Sequence, residues 1–257
     1  FLRLSLKYQS YIMDRTNPVF THESFKNIIQ LILKYNYIFL RFDEKPFVNK
    51  KLLYLRHDVD ISPYCAKELG EIEYSLGVKA NYFFQINAET YNIFSSNILE
   101  IINSLRSIGH CVGIHIDQLL FKEDEETIYN TLFWFNKHIT EIDFVVSFHR
   151  PSVTVLGKKY HSFINAYQEV FFSNGNYLSD SRRNKEFYFK LQNYIKNDKT
   201  PIQLLLHPEW WYPENDIYKF KDLLVKRKTY ELEIYLKNNF NKVFGDIIKD
   251  ENCNFGL

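Results

Sequence analysis

Apolar positions along this chain alternate between short continuous runs and longer stretches broken at helical spacing. Leu52–Leu55 is apolar without a break, as a strand covered on both faces would be. Tyr37–Phe42, Lys79–Ile86, Cys111–Ile116, Phe144–Phe148, Tyr177–Ser179 and Ile202–Leu206 read as further strands. Between them the pattern changes period. Behind Thr21, a plausible N-cap, Phe25, Ile28, Ile29, Ile32 and Leu33 share one helical face, and Pro63–Leu76 reads as a helix opened by proline and closed by Gly77. Ile93–Ile108 stops at Gly109 in the same way; Asp124–His138, Tyr160–Val170, Phe187–Ile195 and Lys219–Phe240 also carry helical spacing. The tail from Gly245 to Leu257 is polar and expected to be loosely held.

Strands alternating with helices, with no Ser/Gly linker and no internal repeat, predict parallel βαβ units in a single domain over residues 1–257. The expected architecture is α/β, a distorted (β/α) barrel of roughly seven parallel strands.

Composition narrows the partners. Hydrophobic residues make up 46% of 257, enough for a large core, and the 19 Tyr and 23 Phe are read first as core and second as a substrate groove. A net charge of +1 favours neither nucleic acid nor an acidic surface. Three cysteines, Cys65, Cys111 and Cys253, are too few and too scattered for a disulfide framework or a zinc knuckle. A cytoplasmic location is the expectation. No apolar run is long enough to span a membrane, and the first residues lack signal-peptide anatomy. Position 1 is Phe, which leaves an upstream leader open.

The candidate chemistry collects at strand ends. Asp58 and Asp60, His115 and Asp117, His149 and Arg150, Asp180, and His207 each lie at or just past the end of a different predicted strand. In parallel α/β folds those ends carry the site. Asp58 and Asp60 point the same way if the strand runs on through Val59, which suits a general base beside a metal ligand; alternatively Asp60 caps the helix that Pro63 begins. His115 and His149 with Asp60 make a donor set for a divalent ion with open positions, zinc first and cobalt, nickel, manganese or iron as alternatives. His110 lies at the opposite end of its strand and is read as structural. His207 is the candidate general acid, its pKa set by Asp180; Trp210 and Trp211 beside it form an apolar wall for a sugar or belong to the core. Arg150, next to Pro151, holds Asp58 ionised through a bidentate contact or makes a surface ion pair. Together these parts describe metal-assisted amide hydrolysis.

These stretches resemble, in order and type, the polysaccharide deacetylase (NodB-homology) superfamily, and more narrowly its divergent branch with His-Asp-Val-Asp in the first motif. The resemblance covers roughly Leu52 to Trp211. Leu55-Arg56-His57-Asp58-Val59-Asp60 matches the motif that supplies base and metal ligand, with the ligand displaced by one residue. Gly109-His110-Cys111-Val112-Gly113-Ile114-His115 is similar to the second motif, His149-Arg150-Pro151-Ser152 to the third, Ser179-Asp180-Ser181-Arg182 to the fourth and Leu205-Leu206-His207-Pro208 to the fifth. The resemblance implies a barrel that removes an N-acyl group from a carbohydrate with a divalent metal, with catalytic roles for Asp58, His207, Arg150 and Asp180 and substrate contacts at Pro151, Trp210 and Trp211. One departure stands out: the family's second metal histidine falls at Leu119. His149 replaces it, or Asp117 does, or the metal site is lost. The expected function is therefore a metal-dependent N-deacetylase or deformylase acting on an amino sugar in bacterial surface polysaccharide synthesis, with a nucleotide-linked, lipid-linked or polymeric substrate. The alternative is a degenerate barrel that binds a glycan or scaffolds assembly.

Overall fold

The structure is a computed structural model and describes residues 19–118, 124–173 and 175–248. Helix α1 (His22–Lys34) opens on Thr21, whose hydroxyl accepts the Ser24 N–H at 3.2 Å; its apolar face buries Phe25, Ile28, Ile29 and Ile32. Strands β1 (Tyr37–Phe39) and β2 (Lys51–Val59) follow, then α2 (Pro63–Ser75), β3 (Asn81–Gln85), α3 (Ser96–Ser107), β4 (Cys111–Asp117) and α4 (Glu125–His138). The second half holds β5 (Val145–His149), β6 (Ile164–Asn165), β7 (Tyr177–Ser179), α5 (Glu186–Lys196), β8 (Ile202–Leu205), α6 (Ile217–Asn239) and α7 (Asn241–Phe244).

All strand pairs are parallel, in the order β6-β5-β4-β3-β2-β8-β7, with β1 also pairing with β2. Eight strands form the sheet, and its two ends, β6 and β7, do not pair with each other among the described residues. The curled sheet is therefore a distorted, open barrel.

Period-two alternation sorts each strand into two faces. On β2, Leu53, Leu55 and Val59 pack outward with the helices, whereas Leu52 and Tyr54 join the interior cluster with Phe83, Cys111 and Val145. Arg56 and Asp58 continue the inner parity. His57 has the outer parity: its Nδ1–H donates to the Leu206 carbonyl at 2.7 Å and its Nε2 meets Glu73 of α2 at 2.6 Å. Tyr82 donates its hydroxyl to the other Glu73 oxygen at 2.7 Å, so α2 is fastened to the sheet by a buried, fully partnered set. His110 is likewise structural, accepting the Ala80 N–H and donating to the Gly70 carbonyl, both at 3.0 Å. Gly113 of β4 lies against the backbone at the start of β5: a Cβ there would come within 2.1 Å of the Val145 carbonyl oxygen.

Two expected elements differ. The stretch Tyr160–Val170 is not a helix: Phe163 and Tyr167 are buried, but between them the chain forms edge strand β6 and turns. Asn165 ties it down, donating to the carbonyls of Val155 and Lys158 at 2.8 Å. Strand β1 ends at Phe39 rather than Phe42, because the Asn81 side chain takes over the pairing, donating to Leu40 and Leu55 carbonyls and accepting the Phe42 N–H.

Candidate active site

Inner-face parity brings the carboxyl ends of β2, β4, β5 and β8 to one place. The register sets His115 beside Ser147 and Asp117 beside His149. Asp60, the first residue past β2, faces them. Its Oδ1 lies 3.4 Å from His115 Nε2 and 3.5 Å from His149 Nδ1, and the two nitrogens are 3.3 Å apart. These atoms form the one group of three ligating side chains compact enough to hold an ion among the described residues.

The triangle fits a metal. Bonds of about 2.0–2.2 Å at tetrahedral angles place ligand atoms about 3.3–3.6 Å apart, which matches all three sides. Asp60 Oδ1 is buried with no hydrogen-bond partner, an arrangement that a cation resolves. The tautomer of His115 agrees. Ser147 donates its hydroxyl to Asp58 Oδ1 at 3.1 Å, so at its 2.5 Å contact with His115 Nδ1 it must accept. Nδ1 therefore carries the proton and Nε2 presents a lone pair to the triangle.

Asp58 stands next to this group, its Oδ2 3.7 Å from His115 Nε2. Arg56 grips it with both arms, Nε to Oδ1 at 2.9 Å and Nη2 to Oδ2 at 2.7 Å. The guanidinium is itself anchored by Gln203 at 3.2 Å and the Tyr167 hydroxyl at 2.8 Å, and it lies over the Tyr167 ring. Burial opposes ionisation of Asp58, but the charge and hydrogen bonds of Arg56, assisted by the charge of His207, outweigh it and hold the carboxyl below the usual carboxylate range.

His207 enters from the far side, its Nε2 3.9 Å from Asp60 Oδ2. Its Nδ1–H donates to Asp180 at 2.6 Å, and the fully buried Asp180 also accepts the His207 backbone N–H at 3.1 Å and Trp211 Nε1–H at 2.9 Å. Burial alone would lower the imidazole, but the hydrogen bond and charge of Asp180 win and push it up to about 10. Glu209, buried two residues further on, is pushed up to about 8 by burial and by the Asp60 charge, so it sits there as the neutral acid at neutral pH.

Asp58, Asp60, His115, His149, Asp180 and His207 thus converge, while three expected contacts are corrected. Arg150 does not reach Asp58: it takes a left-handed backbone (φ 51°) just past β5, and its largely exposed guanidinium pairs with Asp117 at 3.0 Å. Arg56 occupies the position expected of it, and Asp117, engaged by Arg150, stands outside the ligating triangle. Trp211 is not a sugar-stacking surface but fully buried core, packed on Phe20, Phe25 and Phe187. Trp210 lies beside His207, ring centroids 6.4 Å apart, and Pro151 is half-buried at the rim. Leu119 lies outside the described residues. Arg56, Ser147 and Tyr167 were not expected in the site; the parity of β2 and β5 was the signal for the first two, each being two residues before a named site residue.

No family model matches the chain, and no curated protein matches it. Among solved structures it is similar to the chitin deacetylase of the fungal pathogen Colletotrichum lindemuthianum, at 18% identity and TM-score 0.40, over 61% of this chain and 73% of that one. It is also similar to a Bdellovibrio bacteriovorus peptidoglycan deacetylase at 16% identity and TM-score 0.42, over 75% of this chain and only 54% of the other. A family 4 carbohydrate esterase from Bacillus anthracis matches at 16% identity and TM-score 0.38, over 78% and 86% of the two chains.

Proposed function

We propose that this protein is a metal-dependent N-deacetylase, or deformylase, acting on an amino sugar. One observation carries the reading: a base and an acid with oppositely displaced pKa values flank one metal-ligating triangle. Asp58 is ionised and His207 protonated at neutral pH, the states that amide hydrolysis requires of its proton acceptor and donor.

Asp60, His115 and His149 would hold the ion, zinc being the best match to two imidazoles and a carboxylate. When bound, the ion supplies a Lewis acid for the acyl carbonyl and for water. Asp58 accepts the proton that water loses as it adds to the acyl carbon. His207 delivers its Nε2 proton to the amide nitrogen, so that the C–N bond breaks to a carboxylic acid and a free amine. Asp180 holds the imidazole in the donating orientation through Nδ1 and keeps it charged until transfer. Arg56 keeps Asp58 ionised and fixed, and Ser147 links base to ligand.

A setting in bacterial surface polysaccharide synthesis, in the cytoplasm on a nucleotide-linked or lipid-linked sugar, belongs to the same proposal. The motif resemblance supports it, as do Cys65 and Cys111, both buried and unpaired, which suit a reducing compartment. Acetate or formate release from N-acylated amino sugars, measured with and without a chelator, tests the activity. Chelator-sensitive release is expected; release that ignores the chelator contradicts the metal-dependent reading.

A further inference from the structure

Helix α6 runs for 23 residues, about 35 Å at the rise of an α-helix, and its two sides are differently occupied. The inner side is packed. Phe220 and Arg227 are buried, and Leu223, Leu224 and Ile234 are half-buried; the Arg227 guanidinium lies over Tyr64 of α2, 3.9 Å from the ring centroid, and Glu231 accepts from the Tyr64 hydroxyl at 3.3 Å. The outer side is apolar and open. Tyr218, Val225 and Leu232, at intervals of seven, are 77%, 59% and 58% exposed. Four residues past the last two stand exposed Thr229 and half-buried Leu236, and the Thr229 hydroxyl is already satisfied by the Val225 carbonyl at 3.1 Å. Steps of seven divided into four and three are the spacing of a seam between two helices.

The charges along this seam narrow what covers it. Lys226 and Glu233 lie on the same edge, two turns apart, and neither side chain has an ion-pair or hydrogen-bond partner among the described residues. Lys219, Lys221 and Lys228, by contrast, pair within the chain, with Glu214, Asp222 and Glu231 at 2.5, 2.9 and 2.5 Å. In an antiparallel pair of α6 helices, Val225 packs over Leu236 of a second copy and Thr229 over its Leu232. Lys226, between the first two positions, then meets Glu233 of the second copy, and two-fold symmetry makes that contact twice. A parallel pair would set Lys226 against the second copy's Lys221 instead. A lipid surface calls for a cationic border, whereas Asp222 and Glu233 flank this stripe.

We propose that two copies of this chain associate through the outer faces of their α6 helices, antiparallel and with Lys226 of each paired to Glu233 of the other. The inference is independent of the reaction the barrel carries out. Sedimentation equilibrium of the full chain is expected to show monomer and dimer exchanging at about 1–100 µM, the weak end that so small an interface provides. Leu232→Lys should weaken association about tenfold or more with an unchanged circular dichroism spectrum. Lys226→Glu alone and Glu233→Lys alone should each do the same, since two copies of either variant set like charges together twice. Mixed in equal amounts, these two variants should pair with each other as tightly as the unsubstituted chain pairs with itself. A chain that stays monomeric across that range, a dimer indifferent to Leu232→Lys, or charge variants that fail to restore each other overturns the proposal.

Discussion

Arg56 and Asp58, two residues apart on one strand, face the same way inside the barrel and form a bidentate ion pair with the side chains only 0% and 4% exposed. An ion pair this dry does not owe its presence to stability, since its desolvation cost offsets most of its attraction. Its effect is on Asp58, which stays charged where burial alone would neutralise it.

Breaking the pair from the arginine side should therefore be severe. Arg56→Met leaves a buried carboxylate without its partner and is expected to cost about 3–5 kcal/mol in unfolding free energy, measured by urea denaturation. Arg56→Lys keeps a charge but loses the fork; it should fold and shift the acid limb of the rate profile to higher pH. An unshifted acid limb would show that Arg56 does not set the Asp58 protonation.

His207 makes the opposite prediction. Its folded pKa is raised to about 10, so the donating form is present at neutral pH and is lost as pH rises through that value. The alkaline limb of kcat/KM should fall there. Asp180→Asn removes the charge that raises it, and burial then lowers the imidazole; the limb should move down by several pH units. At pH 8 the rate should drop by about 100-fold, within the usual contribution of one acid–base group.

Inner-face parity explains how much was legible beforehand. The strand runs were readable because β2, β4 and β8 are buried on both faces and mostly apolar before their polar ends; Asp58, Asp60, His115 and His207 then follow from where each run stops. What escaped was set by tertiary contact. Whether Arg56 or Arg150 reaches Asp58 depends on which side of the strand each occupies and on the left-handed turn at Arg150. Trp211 looked like a surface for sugar until the turn Pro208–Trp210 carried it under α1. The segment at 160–170 carried helical spacing, yet the Asn165 side chain, which no periodicity registers, holds it as an edge.

Ser147 is the least conspicuous member of the site and gives a specific test of the tautomer argument. Ser147→Ala removes the acceptor for His115 Nδ1–H, and zinc affinity should fall about 10–100-fold, as for other groups that orient metal-bound histidines. Competition against a chromophoric chelator measures it. Unchanged affinity would mean that His115 needs no orienting partner.

Arg150 and His149 are adjacent but should behave differently. Arg150→Ala removes a largely exposed ion pair with Asp117 and should cost at most about 1 kcal/mol in stability, with metal content unchanged. His149→Ala removes a corner of the triangle and should lower metal content sharply. Equal metal content in the two variants would assign that corner elsewhere.

The central claim is that a resident ion is held by Asp60, His115 and His149, with Asp58 beside it but not holding it. Elemental analysis after dialysis, counting zinc, cobalt, nickel, manganese and iron per chain, tests this most directly in the unsubstituted protein, Asp58→Asn and His115→Ala. The account predicts about one ion per chain in the first two, as one triangle of donors allows, with acyl release only in the first, and loss of the ion in His115→Ala. No ion in any of the three after reconstitution, or an ion that survives His115→Ala, would contradict it.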